Sequence, residues 1–223
     1  MTIINASNLL EMEFPPVEFL IDKFLPRNLC LLAGPPKIGK SSLTLSLIQP
    51  IINKGMEVYY FSFEDDYRRL NSRLTALKLI DKRLYILCGR EGVLGSTEAE
   101  EFNIIQSIAM KNNVSLIILD TMERILPTTK GKRDYHYFVK VLGEWAKLAL
   151  QSNTCILMVH HTRKGNGIPE YNPHDAILGS VGIRASFDTN MTMKRDKNGQ
   201  YLLDIEGKDV RSHTLKLHKE GLA

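Results

Sequence analysis

The run GPPKIGKSS, from Gly34 to Ser42, closes on a glycine followed by lysine and serine and fits the pattern G-x-x-x-x-G-K-[ST]. Each residue type there has a reason in phosphate chemistry. Gly34 and Gly39 let the backbone come close to a ligand, and main-chain amides up to the following helix N-terminus cradle phosphate oxygens. Lys40 supplies a point charge, and Ser41 offers a hydroxyl to Mg2+. The candidate nucleotide-binding segment is therefore Gly34, Pro35, Pro36, Lys37, Ile38, Gly39, Lys40, Ser41 and Ser42. A glycine turn that merely joined strand to helix would not need the lysine and the serine.

Two acidic sites complement it. SLIILD carries an apolar strand through a core and delivers Asp120 at its carboxyl end, where open α/β sheets bind ligands. There it is expected to hold the Mg2+ shell through water or Ser41, the alternative being an aspartate that caps a turn. FSFEDD ends another strand in Glu64, Asp65 and Asp66, ahead of Arg68, Arg69 and Arg73. One or both aspartates are expected to cap the next helix. Glu64, nearest the strand tip, is the candidate to polarise a water that attacks a γ-phosphate, against the plainer reading of a solvated acid.

LMVHHTRKG places His160 and His161 side by side at the end of an apolar run. Successive residues of a strand point to opposite faces, and no third ligand at zinc-like spacing stands nearby, so shared metal ligation is disfavoured. One ring should turn to the phosphate site and the other to the opposite layer.

These residues need strands that end together. NLCLLAG, EVYYFSF, RLYILC, SLIILD and NTCILMVH are short continuous apolar runs suited to strands buried on both faces. Helical spacing recurs near 40–54, 66–79, 97–112 and 134–151. The alternation predicts a mostly parallel α/β sheet flanked by helices. After residue 186, two strand-like runs around Asp196-Lys197-Asn198-Gly199 predict a β-hairpin at the sheet edge. Pro15-Pro16 suggests an extended N-terminal arm. With 223 residues, 43% hydrophobic and 24% charged, one domain over 1–223 is expected: arm 1–26, core 27–186, C-terminal strands and hairpin 187–223. A net charge of +4 permits an anionic partner without naming one. Cys30, Cys88 and Cys155 lie in apolar runs without C-x-x-C spacing and read as reduced core residues of a cytoplasmic protein. The acidic N-terminus and the absence of a long apolar stretch argue against export or a membrane span.

Taken in order, GPPKIGKSS, FSFEDDYRRLNSRL, LIILDTMERILP, LMVHHTRKG, LGSVGIRASFD and LLDIEGKDVR make the chain similar to the RecA-like P-loop ATPases. Within them it resembles the RepA-type hexameric replicative helicases of plasmids. The resemblance covers nearly the whole chain and implies an ATP- and Mg2+-dependent ATPase that works as a homo-oligomer, a hexameric ring, with nucleotide between subunits. It makes Glu64 the catalytic glutamate, and Arg184, Lys208 and Arg211 the candidates to complete a neighbour's site, surface ion pairing being the alternative for each. It favours His161 over His160 as the sensor of the γ-phosphate, a register shift of one residue reversing the choice.

The resemblance further implies single-stranded DNA at two basic loops, through Lys130, Lys132 and Arg133 in 127–134 and Arg163 and Lys164 in 162–174. Solvated loops with no partner are the alternative. A chain of this length lacks the separate helical domain of DnaB-type helicases, so a replication partner protein is also expected. The competing function is a non-motor RecA-like ATPase that regulates or loads another factor. A small-molecule kinase is disfavoured for want of a lid segment.

Overall fold

Runs rich in β-branched and aromatic side chains, too short for helices, become the strands of one central sheet. The computed structural model describes residues 3–89, 97–126, 135–162 and 181–218. β1 (Phe19–Ile21) and β2 (Leu25–Pro26) form a small antiparallel pair. The main sheet has eight strands: β3 (Leu29–Gly34), β4 (Glu57–Ser62), β5 (Leu84–Cys88), β6 (Val114–Asp120), β7 (Cys155–His161), β8 (Thr189–Arg195), β9 (Tyr201–Gly207) and β10 (His213–Leu217). Their order is β10-β9-β8-β3-β7-β6-β4-β5. Every neighbouring pair from β8 to β5 is parallel, whereas β9 and β10 pair antiparallel.

Seven α-helices accompany the strands among the described residues: α1 (Ala6–Leu10), α2 (Lys40–Ser46), α3 (Ile48–Ile52), α4 (Tyr67–Ala76), α5 (Glu98–Ala109), α6 (Tyr135–Ser152) and α7 (Val181–Ser186). The two sheet faces carry separate cores, divided by the alternation of side chains along each strand. Cys30, Leu32, Val58, Tyr60, Leu116, Ile118, Cys155, Leu157 and Val159 pack with α2, α3 and Leu70 of α4. Leu29, Leu31, Ala33, Phe61, Ile117, Leu119, Ile156 and Met158 pack with α5, α6 and Ile183 of α7. Burial on both faces explains why these strands read as continuous apolar runs.

Two expectations need correction, and the expected C-terminal hairpin is present with one further strand beside it. The helix expected over 40–54 divides at Leu47 into α2 and α3. Pro50 has no N–H to donate to the preceding turn, and the break places it in the first turn of a new helix, where that donor is not needed. The arm is not simply extended, since it contains α1, capped by the Asn5 side chain, and the β1-β2 pair. The hairpin of β8 and β9 does turn at Asp196–Gly199, but β10 takes the sheet edge and β8 joins β3 in parallel.

Gly199 occupies this turn at φ +77, a conformation that costs an L-residue about 1 kcal/mol or more. Gly199→Ala should lower unfolding stability by about that amount in a urea titration. An unchanged midpoint would show that the turn can relax out of positive φ.

Candidate active site

Parallel pairing aligns the carboxyl ends of β3, β7, β6 and β4, and the candidate residues stand at or just beyond those ends. A cleft of about 950 Å³ is lined by the loop from Lys37 to Ser42 and by Glu64, Asp65, Asp120 and His161. The loop has a mixed character. Pro35 and Pro36 have no amide hydrogens, so the donors come from Lys37 onward. Lys37 (φ 64) and Gly39 (φ +108) bend the chain into α2. Ile38 turns away into the core. A Cβ on Gly34 would meet the Met193 carbonyl at 2.9 Å, so only glycine fits against β8 there.

Lys40 is 5% exposed. Its Nζ donates to the carbonyls of Gly34 (2.8 Å) and Pro35 (3.1 Å) and approaches His161 Nδ1 at 3.1 Å. Burial lowers its pKa, against the opposing charges of Asp120, Glu123 and Glu64. The other nitrogen of His161, Nε2, lies 3.2 Å from Glu64 Oε1. An ammonium only donates and a carboxylate only accepts, so this bridge suits the tautomer with its hydrogen on Nε2. The phosphate-loop lysine and the candidate water-activating glutamate are thus joined through one ring.

Strand alternation settles the histidine pair. His161 follows the parity of Leu157 and Val159, which face α2, whereas His160 follows Ile156 and Met158 on the opposite face. His160 is buried, and its Nδ1 lies 2.6 Å from Glu123 Oε1. Glu123 also accepts the backbone N–H of His161 at 3.4 Å. Burial raises the Glu123 carboxyl, but the hydrogen bond and charge of His160, with the Thr121 hydroxyl, bring it down to about 2. No cluster of three or more His, Cys, Asp or Glu suited to a metal occurs among the described residues.

The three acids after β4 have separate placements. Glu64 points to His161, and its side chain is 58% exposed. Asp65 is buried and pairs with Arg73 and Arg69, so it does not cap. Asp66 caps α4 by accepting the Arg69 amide at 2.8 Å.

Asp120 is buried at the end of β6. Burial raises its pKa, and hydrogen bonds from Ser41 and Tyr60 oppose that rise. A carboxylate and a hydroxyl brought together at the root of a phosphate loop are hard oxygen donors that suit Mg2+ bound with a nucleotide.

Other candidates lie elsewhere. Arg184, in α7, forks onto Glu206 (2.6 and 2.7 Å), and Lys208 binds Asp188 at 2.7 Å. Arg211 is exposed, and neither it nor the other two lines the cleft. Lys130, Lys132, Arg133, Arg163 and Lys164 fall outside the described residues. Sequence reasoning missed one wall of the cleft: Met193, Tyr201 and Leu217 of the C-terminal strands, with His218 just after β10, line it beside the phosphate loop. These ordinary strand residues carry no motif, so only the sheet order reveals them.

A parallel sheet of this order with a phosphate-binding loop, acids and a polar strand end at one edge defines a RecA-like P-loop ATPase. The chain belongs to the AAA domain family, whose sequence profile matches residues 4–167. Among curated proteins it is similar to DNA repair protein RadA of Rickettsia conorii, 33% identical over 139 residues, covering 60% of this chain and 29% of that protein. RadA of Halalkalibacterium halodurans is 25% identical over 166 residues, or 72% of this chain and 34% of the relative. The chain therefore spans about a third or less of the relatives it matches. A solved structure of another protein's ATPase domain shares the fold with a TM-score of 0.65 at 12% identity, covering 85% of this chain and 80% of that one. No helix among the described residues is long and apolar enough to cross a membrane.

The pairing of Glu123 with His160 makes a signed prediction. A carboxyl depressed from 4.5 to about 2 contributes stability that is complete above its ordinary value and lost as pH falls toward about 2. Glu123→Gln should be less stable than the parent at neutral pH, and the difference in thermal midpoint should shrink between pH 5 and pH 2. A difference constant across that range would show that the pair contributes nothing.

Proposed function

We propose that the chain is an ATP-hydrolysing subunit of a hexameric ring of the replicative-helicase type, moving on single-stranded DNA in the cytoplasm beside a replication partner protein. Residues 1–223 act in it as one ATPase unit. The observation that carries the proposal is the convergence of Lys40, His161 and Glu64 in the cleft that also holds Ser41 and Asp120. In this reading the loop amides and Lys40 bind the phosphates, and Glu64 orients the attacking water. The wall of Met193, Tyr201 and Leu217 takes the base. Mg2+, when bound with the nucleotide, neutralises phosphate charge, with Ser41 and Asp120 to hold it. His161 stands to exchange its contact with Lys40 for one with the γ-phosphate.

The ring is supported by where the remaining cations lie. Thr189 pairs with both Cys30 and Gly207, so Lys208 and Arg211 follow β9 at the end of the sheet where β3 begins. The six residues of β3 separate that end from the phosphate loop by about 20 Å. Neither side chain spans that distance, so a role at a phosphate is a role at a neighbour's phosphate. Arg184 would first have to leave Glu206. The arm adds a second support, since Ile3, Leu9, Leu10, Met12, Phe14 and Val17 are exposed and α1 buries nothing on its own chain. Such an apolar segment suits a neighbouring copy. The proposed DNA contacts Lys130, Lys132 and Arg133 follow Leu126 in sequence and Arg163 and Lys164 follow Thr162, close in sequence to Asp120 and His161.

ATP turnover with and without single-stranded DNA, beside light scattering with a non-hydrolysable ATP analogue, tests the proposal. A ring whose turnover rises with DNA is expected, and Glu64→Gln should bind ATP yet hydrolyse it on the order of 100-fold more slowly. Turnover indifferent to DNA would discard the motor and leave a non-motor ATPase. The shared site has its own check: Lys40→Ala and Arg211→Ala, each inactive alone, should regain part of the activity when mixed, because some interfaces then pair an intact loop with an intact arginine. Mixtures no more active than their components would remove Arg211 from that role.

A further inference from the structure

Tyr60 carries a hydroxyl that the chemistry above does not use, in a place where a hydroxyl is costly. Its side chain is 0% exposed and packs on the sheet face of Val58, Leu116, Ile118 and Val159. Phenylalanine would fill the same space with no polar atom to satisfy. The phenol is satisfied at one place: it donates to Asp120 Oδ2 at 2.8 Å. The register makes this contact possible, because Tyr60 lies opposite Ile118 and the phenol reaches along the same face to the residue two positions on.

The junction includes α2. The Thr44 hydroxyl stands near the phenol and donates to the Ser41 carbonyl at 2.9 Å. Ser41 in turn stands close enough to Asp120 to lower the pKa of its carboxyl. The phenol oxygen therefore stands where the strand leading to Glu64, the strand ending in Asp120 and the helix bearing Lys40 and Ser41 meet. A buried carboxylate with a single donor could rotate about its terminal torsion, whereas one held from two elements keeps a fixed face.

We infer that Tyr60 is a positioning residue for the Mg2+–nucleotide site, its hydroxyl holding Asp120 in the orientation that faces Ser41. The inference rests on the nucleotide site proposed above but not on DNA or on a ring. It makes the contact of Tyr60 with Asp120 part of metal binding as well as of the core.

The test is binding of a fluorescent ADP to the full chain, titrated with Mg2+, for the parent and Tyr60→Phe. Affinity without Mg2+ should be the same in both, and the Mg2+ concentration at half-effect should rise about 10- to 100-fold in Tyr60→Phe. A lowered thermal midpoint with an unchanged Mg2+ requirement would show a purely structural tyrosine and overturn the inference. If Tyr60→Phe does not fold, Thr44→Val decides: a smaller rise in the Mg2+ requirement supports the junction, and none overturns it. A parent that binds nucleotide without regard to Mg2+ would instead bring down the metal role of Ser41 and Asp120, and this inference with it.

Discussion

Parallel pairing of β3 with β7 places Gly34 opposite His161, and the next amide, Thr162 N–H, donates to the Gly34 carbonyl at 3.1 Å. The rest of the site depends on this register. β7 is inserted between the strand that leads into the phosphate loop and the strand that ends in Asp120. Its polar end is thus wedged between the two halves of the candidate nucleotide site. A shift of one residue would send the His161 ring to the face of α5 and α6 and leave Lys40 without its third partner.

Around that register the charges are divided by burial. Lys40 is an ammonium almost removed from water, a placement that needs acceptors on several sides. Two loop carbonyls and a neutral ring nitrogen serve, and three surrounding acids oppose the loss of its charge. The acids at this end of the sheet have partners of their own. Asp65 is engaged by the arginines of α4, Asp66 by a helix amide, and Glu123 by His160. Glu64 alone of the three acids after β4 turns to the His161 bridge, with most of its side chain open to water.

The same strand order separates two kinds of basic residue. Lys40 is held at the carboxyl ends of the strands, whereas Lys208 and Arg211 stand at the other end of the sheet, beyond reach of the cleft in their own chain. Local ion pairs hold Arg184 and Lys208 in the single chain. Among the described residues, the arm's Ile3, Leu9, Leu10, Met12, Phe14 and Val17 leave their apolar side chains exposed.

Much of this was legible from residue types. Continuous apolar runs announced strands buried on both faces, helical spacing announced the layers, and Asn198-Gly199 announced a turn, because each pattern follows from local periodicity and backbone freedom. GPPKIGKSS pointed to phosphate binding because close backbone approach, a cation and a hydroxyl come there in the order that chemistry needs. Local sequence also required His160 and His161 to face opposite sides. Which of them faces the phosphate loop was decided by the pairing of β3, β7 and β6, a long-range choice. The same choice made three adjacent acids into a bridge partner, an ion pair and a cap, and brought Tyr60 to Asp120 and Tyr201 to the cleft. Sequence by itself determined which groups were present and how each segment would fold, since those are near-neighbour effects. Only the tertiary structure decided which groups meet, because strand order and register are set by burying all the apolar faces at once.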